Sequence, residues 1–474
     1  MIKDLQNIVG ADNVFDDQKT LELYCRDQSL SVSRQPFAAV KPHRTEEVQE
    51  LVGFANKTLT PLVPVSSKVH FWGSTIPAQG GIIVDLSEMN KILEIDPRNR
   101  RVKIEPGVTW HQLQEALKEH DQMPLNPLFP HPKVSALTSS LEGDCMLIPK
   151  YEYGDPVLSS QIVLGNGDLF KTGMASASMT QGVYPEGPGT NFFTLFHGAQ
   201  GTLGIVTWQN IKTEYRPSRQ KVFFVRFDSL AACADPIYRL QRRHIGNECF
   251  VLNSMLLAAL LADDENEYEK MMAHLPPYTL VLVIAGAPRR PLERIAYEEE
   301  ALMEVAAQLQ FEPRQTVAGI AGLETTMIEL LRNLPGDEPY WKTKFQPSAQ
   351  EIHFITTMDR AQTYVDIAHG YAAGSGLSIN EMGVYMQPLE RGRACHVSIS
   401  LPCDLGDEND VVGTRELYMQ ISEDLDRSGA FFNRPYGPWA DMVYRQTTAY
   451  TAALKEVKNI FDPNNILNPG KLCY

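Results

Sequence analysis

The chain has 474 residues, 43% of them hydrophobic and 21% charged, and a formal net charge of −15. That is the composition of an ordinary globular protein, long enough for two or more lobes. The negative balance argues against nucleic acid, whose binders concentrate positive charge for the phosphates, and against docking on an anionic membrane surface. Seven cysteines are scattered without any Cys-x-x-Cys pair, so reduced thiols are expected rather than a disulfide framework, a zinc site or an iron–sulfur site. The N-terminal stretch lacks the apolar run of a signal peptide. The most apolar segments, Met255–Leu261 and Tyr278–Ala285, fall far short of the roughly 20 residues of a membrane helix. A cytoplasmic protein with no metal and no membrane insertion is the expectation.

In chain order, Thr45-Glu46-Glu47-Val48 predicts a helix with a Thr N-cap, first-turn acids, and Val48, Leu51, Val52 and Ala55 on one face. A short buried strand, Leu62–Val65, precedes a polar loop from Ser66 to Gly81 and the strand Ile82–Asp85. Arg101–Glu105 alternates as a half-buried strand does. Thr109-Trp110-His111-Gln112 predicts a capping box opening a helix through Leu117. A Pro-rich loop, Pro124 to Pro132, separates this from a second compact unit of strands that closes near Thr207–Glu214. Beyond Ser218, strands at Val222–Phe227 and Tyr278–Ala285 alternate with helices at Ala231–Arg243 and Arg294–Leu309. The acidic run Asp263–Glu267 reads as a solvated helix edge. Gly383–Ser400 reads as paired strands, Val411–Arg427 as a helix, and Thr447–Ile460 as a last helix ending in an Asp-Pro-Asn-Asn turn.

No Gly-x-Gly-x-x-Gly follows the first strand and no Walker loop is present, so a Rossmann NAD site is poorly supported. Loops of small residues can still cradle a pyrophosphate through backbone N–H groups. Ser66, Ser67, Gly73, Ser74 and Thr75 form one such loop, and Ala136, Leu137, Thr138, Ser139 and Ser140 another.

Three stretches, in this order and at these separations, resemble the FAD-linked oxidases of the vanillyl-alcohol oxidase and para-cresol methylhydroxylase family. They are Gly80-Gly81-Ile82-Ile83-Val84-Asp85-Leu86-Ser87-Glu88-Met89-Asn90, then Gly201-Thr202-Leu203-Gly204-Ile205-Val206-Thr207, then residues Phe461 to Lys471. The resemblance implies an α+β fold: a two-subdomain FAD-binding lobe over residues 1–217, an α+β cap lobe over the flavin at 218–430, and a C-terminal segment, 431–474, returning to the first lobe. It implies FAD as cofactor, held by Ser66, Ser67, His70, Trp72, Gly73 and Ser74 from the first loop and by Thr138 and Ser139 from the second. Tyr153-Gly154-Asp155 matches a Tyr-Gly-Asp element beside the ring; Gly201, Gly204, Ile205 and Val206 match the segment against the adenine and the ring. His396 falls where some members have a cap-lobe His bonded to the flavin, His70 is the other flavin contact or attachment point the resemblance implies, and Lys471 lies in the C-terminal stretch.

Catalysis, on the same resemblance, falls to Asp155 as the acid that manages a proton and to Arg434 as the cation beside an anionic oxygen. Asp155 also reads as a turn residue before Pro156, and Arg434 as a loop Arg. Phenol-oxidising members clamp the substrate oxygen between two Tyr hydroxyls and the Arg; here those positions read Trp72 and Asn433, with Tyr436 two residues beyond Arg434. The implied reaction takes a hydride from an activated, benzylic carbon of an aromatic alcohol or alkylphenol-like substrate to flavin N5. An FAD-dependent D-2-hydroxyacid dehydrogenase is the alternative, although its His-x-Gly-Asp-Gly-Asn and Gly-Glu-His-Gly elements are missing. A flavin-binding electron-transfer subunit is a third reading. A cytochrome or another electron acceptor, and a homo-oligomer, are the partners the resemblance implies.

Overall fold

The computed structural model describes residues 1–474 except 151–153, 178–181, 287, 335, 337 and 338. Three sheets organise the described residues. The first holds β1 (Val14–Phe15), β2 (Ala38–Val40), β3 (Leu62–Val65) and β4 (Ile82–Asp85) in the order β1-β2-β4-β3, with β2, β4 and β3 parallel. Parallel strands need crossovers: the helix Thr45–Thr58 carries the chain from β2 to β3, and the loop over residues 66–81 returns it to β4 between them. The apolar face of the helix, Val48, Leu51, Val52 and Ala55, packs on Ala38, Val40, Ile82 and Val84. The N-cap is Arg44 rather than Thr45, and no side chain caps the helix there. Instead Glu47 accepts the His43 N–H at 2.7 Å, so a first-turn acid satisfies the entering backbone.

The second sheet contains β5 (Ile92–Asp96), β6 (Arg101–Ile104), β7 (Gln122–Pro124), β8 (Val157–Val163), β9 (Leu169–Lys171) and β10 (Ile205–Tyr215), ordered β5-β6-β10-β8-β9 with β7 paired to β10. The helix Trp110–Lys118 packs Trp110, Leu113 and Leu117 on it. Thr109 accepts the Gln112 N–H at 3.2 Å, but the Gln112 side chain turns to the Asn90 carbonyl. Only half of the anticipated capping box forms, because a tertiary acceptor competes for the amide.

The third sheet comprises β11 (Gln220–Phe227), β12 (Glu248–Asn253), β13 (Tyr278–Ala285), β14 (Ala349–Thr356), β15 (Gly383–Leu389) and β16 (Ala394–Pro402), ordered β11-β13-β12-β15-β16-β14 and antiparallel throughout. Its outer face packs against the helices Leu230–Arg242, Pro291–Leu309, Ala361–Ser375 and Glu408–Arg427. Its inner face meets Leu128, Phe129 and Leu147 of the preceding lobe. Because side chains alternate along a strand, Phe223 and Val225 go to the outer core while Val222 and Phe224 go to the inner one. The anticipated acidic helix edge begins at Asp264, the N-cap of Glu265–His274.

The last helix, Thr448–Phe461, returns the chain to the first sheet. Asp462 accepts the N–H groups of Ile466 (3.0 Å) and Leu467 (2.8 Å) and pairs with Lys458 at 2.6 Å. Leu62 donates to Ile466 and accepts from Asn468, so the turn runs as an extra rung on β3. Lys458 also donates to the carbonyls of Thr202 (2.7 Å) and Leu467 (2.9 Å). The turn thereby holds the loop that begins β10. Among the described residues no helix is long and apolar enough to cross a membrane.

Candidate active site

A cavity lies between the inner face of the third sheet and loops that extend from the first two sheets and the C-terminal segment. Period-two alternation decides what the sheet presents to it. In β16, Cys395, Val397 and Ile399 point to the outer core, so His396 and Ser398 face the cavity. In β14, Ile352 and Phe354 point outward and Ala349 and Glu351 inward; in β15, Val384 and Met386 point outward and Tyr385 inward. The register sets Tyr385, Ser398 and His353 in one row across the three strands.

The opposite wall comes from the loop after β3, from the short helix Ala136–Leu141 with the residues after it, and from the turn at Phe432–Gly437. Arg434 is buried and paired with Asp144, whose other carboxylate oxygen accepts the Ser139 hydroxyl. Asp144 holds the guanidinium charged against the cost of burial. The Trp72 ring stacks on Tyr436 with centroids 5.5 Å apart, and the Arg434 guanidinium lies 5.4 Å from the Trp72 centroid. Phe71, Tyr340 and Tyr385 add aromatic surface, and Lys342, paired with Glu351, stands on the same cavity. His353 packs edge-on to Trp72 at 4.6 Å, and neither of its ring nitrogens has a hydrogen-bond partner. Burial lowers its pKa and that of His396, the latter to about 3, so both rings are neutral at neutral pH.

A second cavity continues from the first; His70, Ser74, Thr138 and Glu142 line both. Its walls are hydroxyls, glycines and apolar side chains: Ser66, Thr75, Gly201 and Gly204 beside Leu86, Leu137, Phe196, Ile205 and Val206. Among the described residues no Lys or Arg lines it, so an anion there would depend on hydroxyls and backbone N–H groups. Ser66 and Thr138 share a hydrogen bond of 2.6 Å across it. Gly201 takes φ +70°, and a Cβ there would come within 2.3 Å of Pro64 Cγ; one on Gly204 would meet Ile162 at 2.2 Å. The lining of hydroxyls, glycines and apolar side chains fits a flavin dinucleotide, which needs small polar groups for its phosphates and apolar ones for its rings. Replacing Gly201 with Ala is expected to weaken FAD binding at least about tenfold, through the strained φ and the displaced Pro64. Fluorescence titration of the apoprotein with FAD checks this.

Of the residues singled out from sequence, the structure brings Ser66, His70, Trp72, Ser74, Thr138, Ser139, Gly201, Gly204, Ile205, Val206, His396, Arg434 and Tyr436 to these two cavities. Ser67, Gly73 and Lys471 stand behind the walls: the Ser67 hydroxyl bonds the Val69 carbonyl, Asp27 accepts the Gly73 N–H at 2.6 Å, and Lys471 donates to the Gly73 carbonyl at 2.8 Å. Asp155 lines neither cavity. It faces His197 at 3.2 Å and caps the Val157 N–H at 2.9 Å, as a turn residue before a strand does. Asn433 is exposed and also lines neither, because the tight turn that buries Arg434 points its neighbour outward. Tyr153 lies outside the described residues. Sequence reasoning missed Glu142, Asp144, Glu351 and Tyr385. The strand alternation around Glu351 and Tyr385 was a usable signal; Glu142 and Asp144 sit in a Gly-containing turn with no periodicity to read.

Glu142 ties the two cavities together. Its Oε1 accepts the Gln200 N–H at 3.0 Å and its Oε2 the Tyr436 hydroxyl at 3.1 Å. Burial pushes its carboxyl from 4.5 up to about 7, against the lowering effect of those two bonds and of Arg434. The folded pKa is raised, so between pH 4.5 and about 7 the unfolded chain releases this proton first. The apoprotein should therefore lose up to about 3 kcal/mol from this one group as pH rises through that window. Urea unfolding across the window, wild type against Glu142→Gln, isolates the contribution; parallel curves would exclude it.

Residues 36–173 match the family described as FAD binding domain, and residues 440–472 match the family described as FAD linked oxidases, C-terminal domain. The glycolate oxidase subunit GlcD of Bacillus subtilis (strain 168) is 24% identical over 480 residues, spanning 99% of this chain and 95% of that protein. The 4-cresol dehydrogenase [hydroxylating] flavoprotein subunit of Pseudomonas putida is 28% identical over 282 residues, 58% of this chain and 52% of that one. Among solved structures, p-cresol methylhydroxylase with substrate bound superposes with a TM-score of 0.85 at 20% identity, over 100% of this chain and 96% of the other.

Proposed function

Because this chain belongs to the FAD-linked oxidoreductases that share the vanillyl-alcohol oxidase and para-cresol methylhydroxylase fold, we propose that it oxidises an aromatic alcohol or alkylphenol at a benzylic carbon. The carrying observation is the buried Arg434 beside the stacked Trp72 and Tyr436 rings in an aromatic-walled cavity. Aromatic rings favour a flat apolar substrate, and a desolvated guanidinium favours an oxygen that carries negative charge. Residues 1–217 and 431–474 form the cofactor-binding part in this reading, and 218–430 cover it. Ser66, Thr138, Gly201, Gly204, Ile205 and Val206 would hold the FAD. When bound, the flavin supplies a two-electron acceptor for hydride. Arg434 holds the substrate oxygen, Trp72 and Tyr385 bracket its ring, and the inner face of the third sheet excludes water from above. A cytochrome or another carrier would take the electrons onward.

A D-2-hydroxy acid is the second reading, favoured by the full-length likeness to the Bacillus subtilis glycolate oxidase subunit and by a cation pair, Arg434 and Lys342, on one cavity. Each of those cations already has its own carboxylate, Asp144 and Glu351, so charge alone does not favour the small acid, and the aromatic walls favour a flat apolar substrate. Anaerobic mixing of the FAD-loaded protein with 4-hydroxybenzyl alcohol and, separately, D-lactate decides between them. Bleaching of the oxidised flavin absorbance by the aromatic alcohol is the expected result; bleaching by D-lactate alone would sink the aromatic reading.

A further inference from the structure

We propose that Tyr436 and Glu142 form a proton relay: a phenolic ligand held at Arg434 gives its hydroxyl proton to Tyr436 while Tyr436 passes its own to Glu142. The relay rests on the aromatic-substrate reading above and names the group that receives the proton.

Among the described residues four carboxyl groups compete for that role, and Glu351 is committed to Lys342. Asp155 lies outside the cavity, engaged by His197 and the Val157 N–H. Asp144 has one oxygen on Arg434 and the other on the Ser139 hydroxyl. Glu142 remains, at the junction of both cavities, with Tyr436 as its contact to the aromatic end. An ionised carboxylate only accepts, so the Tyr436 hydrogen points at Glu142 Oε2 and the phenol oxygen keeps its lone pairs for an incoming hydroxyl. Around Glu142 the charged and titratable neighbours are Arg434 and Tyr436 from the C-terminal turn, Asp144 two residues on, and His70 at the same junction, which burial keeps neutral. The loop at Gln200 offers only its backbone N–H. Arg434 and Asp144 cancel each other, which leaves Glu142 as the surplus negative charge.

The step balances without a redox partner. The ligand O–H bond breaks and its proton bonds to Tyr436 Oη; the original Oη–H bond breaks and that proton bonds to Glu142 Oε2. The ligand keeps the electron pair as a phenolate opposite Arg434. One negative charge moves from Glu142 to the ligand, and no proton reaches solvent. Glu142 acts through Tyr436, which is the group that touches the ligand.

The test uses the FAD-loaded full chain and 4-bromophenol, a phenol with no benzylic carbon to oxidise. Titration calorimetry in buffers of different ionisation enthalpy counts the protons released per ligand bound. Near about pH 8, Glu142 starts as a carboxylate, so the wild type should bind with almost no net release. Near about pH 6, Glu142 already holds a proton, so about one proton per ligand should appear and affinity should fall about tenfold per unit of pH. Glu142→Gln should release about one proton at both pH values. Tyr436→Phe, which leaves Glu142 in place and covers a Gln variant that does not fold, should do the same. Variants that release no proton at about pH 8, or a wild type that releases none at about pH 6, would overturn the relay while leaving the aromatic reading intact. A wild type that binds no phenol and is reduced by D-lactate overturns both.

Discussion

Replacing Arg434 with Ala is expected to lower kcat/KM for 4-hydroxybenzyl alcohol by about a hundred- to a thousandfold, the usual cost of one desolvated donor to a developing oxyanion. The side chain is buried and meets the cavity beside Trp72, so water cannot replace its charge efficiently. Arg434→Lys should recover only part of this, because an ammonium offers no planar fork to divide between Asp144 and a ligand oxygen. The Ala variant also leaves Asp144 half-buried without its cation, at about 1–3 kcal/mol of stability. Steady-state kinetics alongside urea unfolding separates the two effects. A variant that unfolds normally and turns over like wild type would remove Arg434 from the reaction.

Asp462→Ala should be the most destabilising single change at the C-terminal return, by about 3–5 kcal/mol. Its side chain is fully buried, accepts two backbone N–H groups and pairs with a Lys458 that is 5% exposed. Removing it strands an ammonium in the interior and frees the Ile466 and Leu467 donors. Because the same ammonium binds the Thr202 carbonyl, the loop from Gly201 to Gly204 should loosen with it, and FAD retention should fall on gel filtration. Replacing Lys458 and Asp462 together by Met and Asn should cost less than Asp462→Ala, since no uncompensated charge is left buried. Denaturant midpoints of the single and double variants check the order.

Much of the first lobe could be read directly. The helix Thr45–Thr58, the strands Leu62–Val65 and Ile82–Asp85, and the closing turn at Asp462 follow from local periodicity and turn chemistry, which a short window contains. The cofactor followed from the family resemblance carried by the ordered stretches at Gly80–Asn90, Gly201–Thr207 and Phe461–Lys471, not from the small-residue loops alone. Helix ends drifted by one to three residues, as at Glu408–Arg427 against an expected start at Val411.

The proton-handling side of the cavity depends on contacts far apart in the chain. Asp155 sits in the expected sequence context, yet its turn points it at His197 and it lines neither cavity. Glu142 has no motif, yet folding brings it within 3.1 Å of a hydroxyl 294 positions away. Arg434 is legible as a cation in a turn, but only the pairing of β14, β15 and β16 lays the aromatic ceiling over it. Local sequence determined the elements and the small-residue loops, since φ preferences and periodicity act over a few residues. The tertiary structure alone decided which carboxylate meets the Tyr436 hydroxyl and which way its pKa moves, since burial and distance set both, and neither exists until the chain has closed on itself.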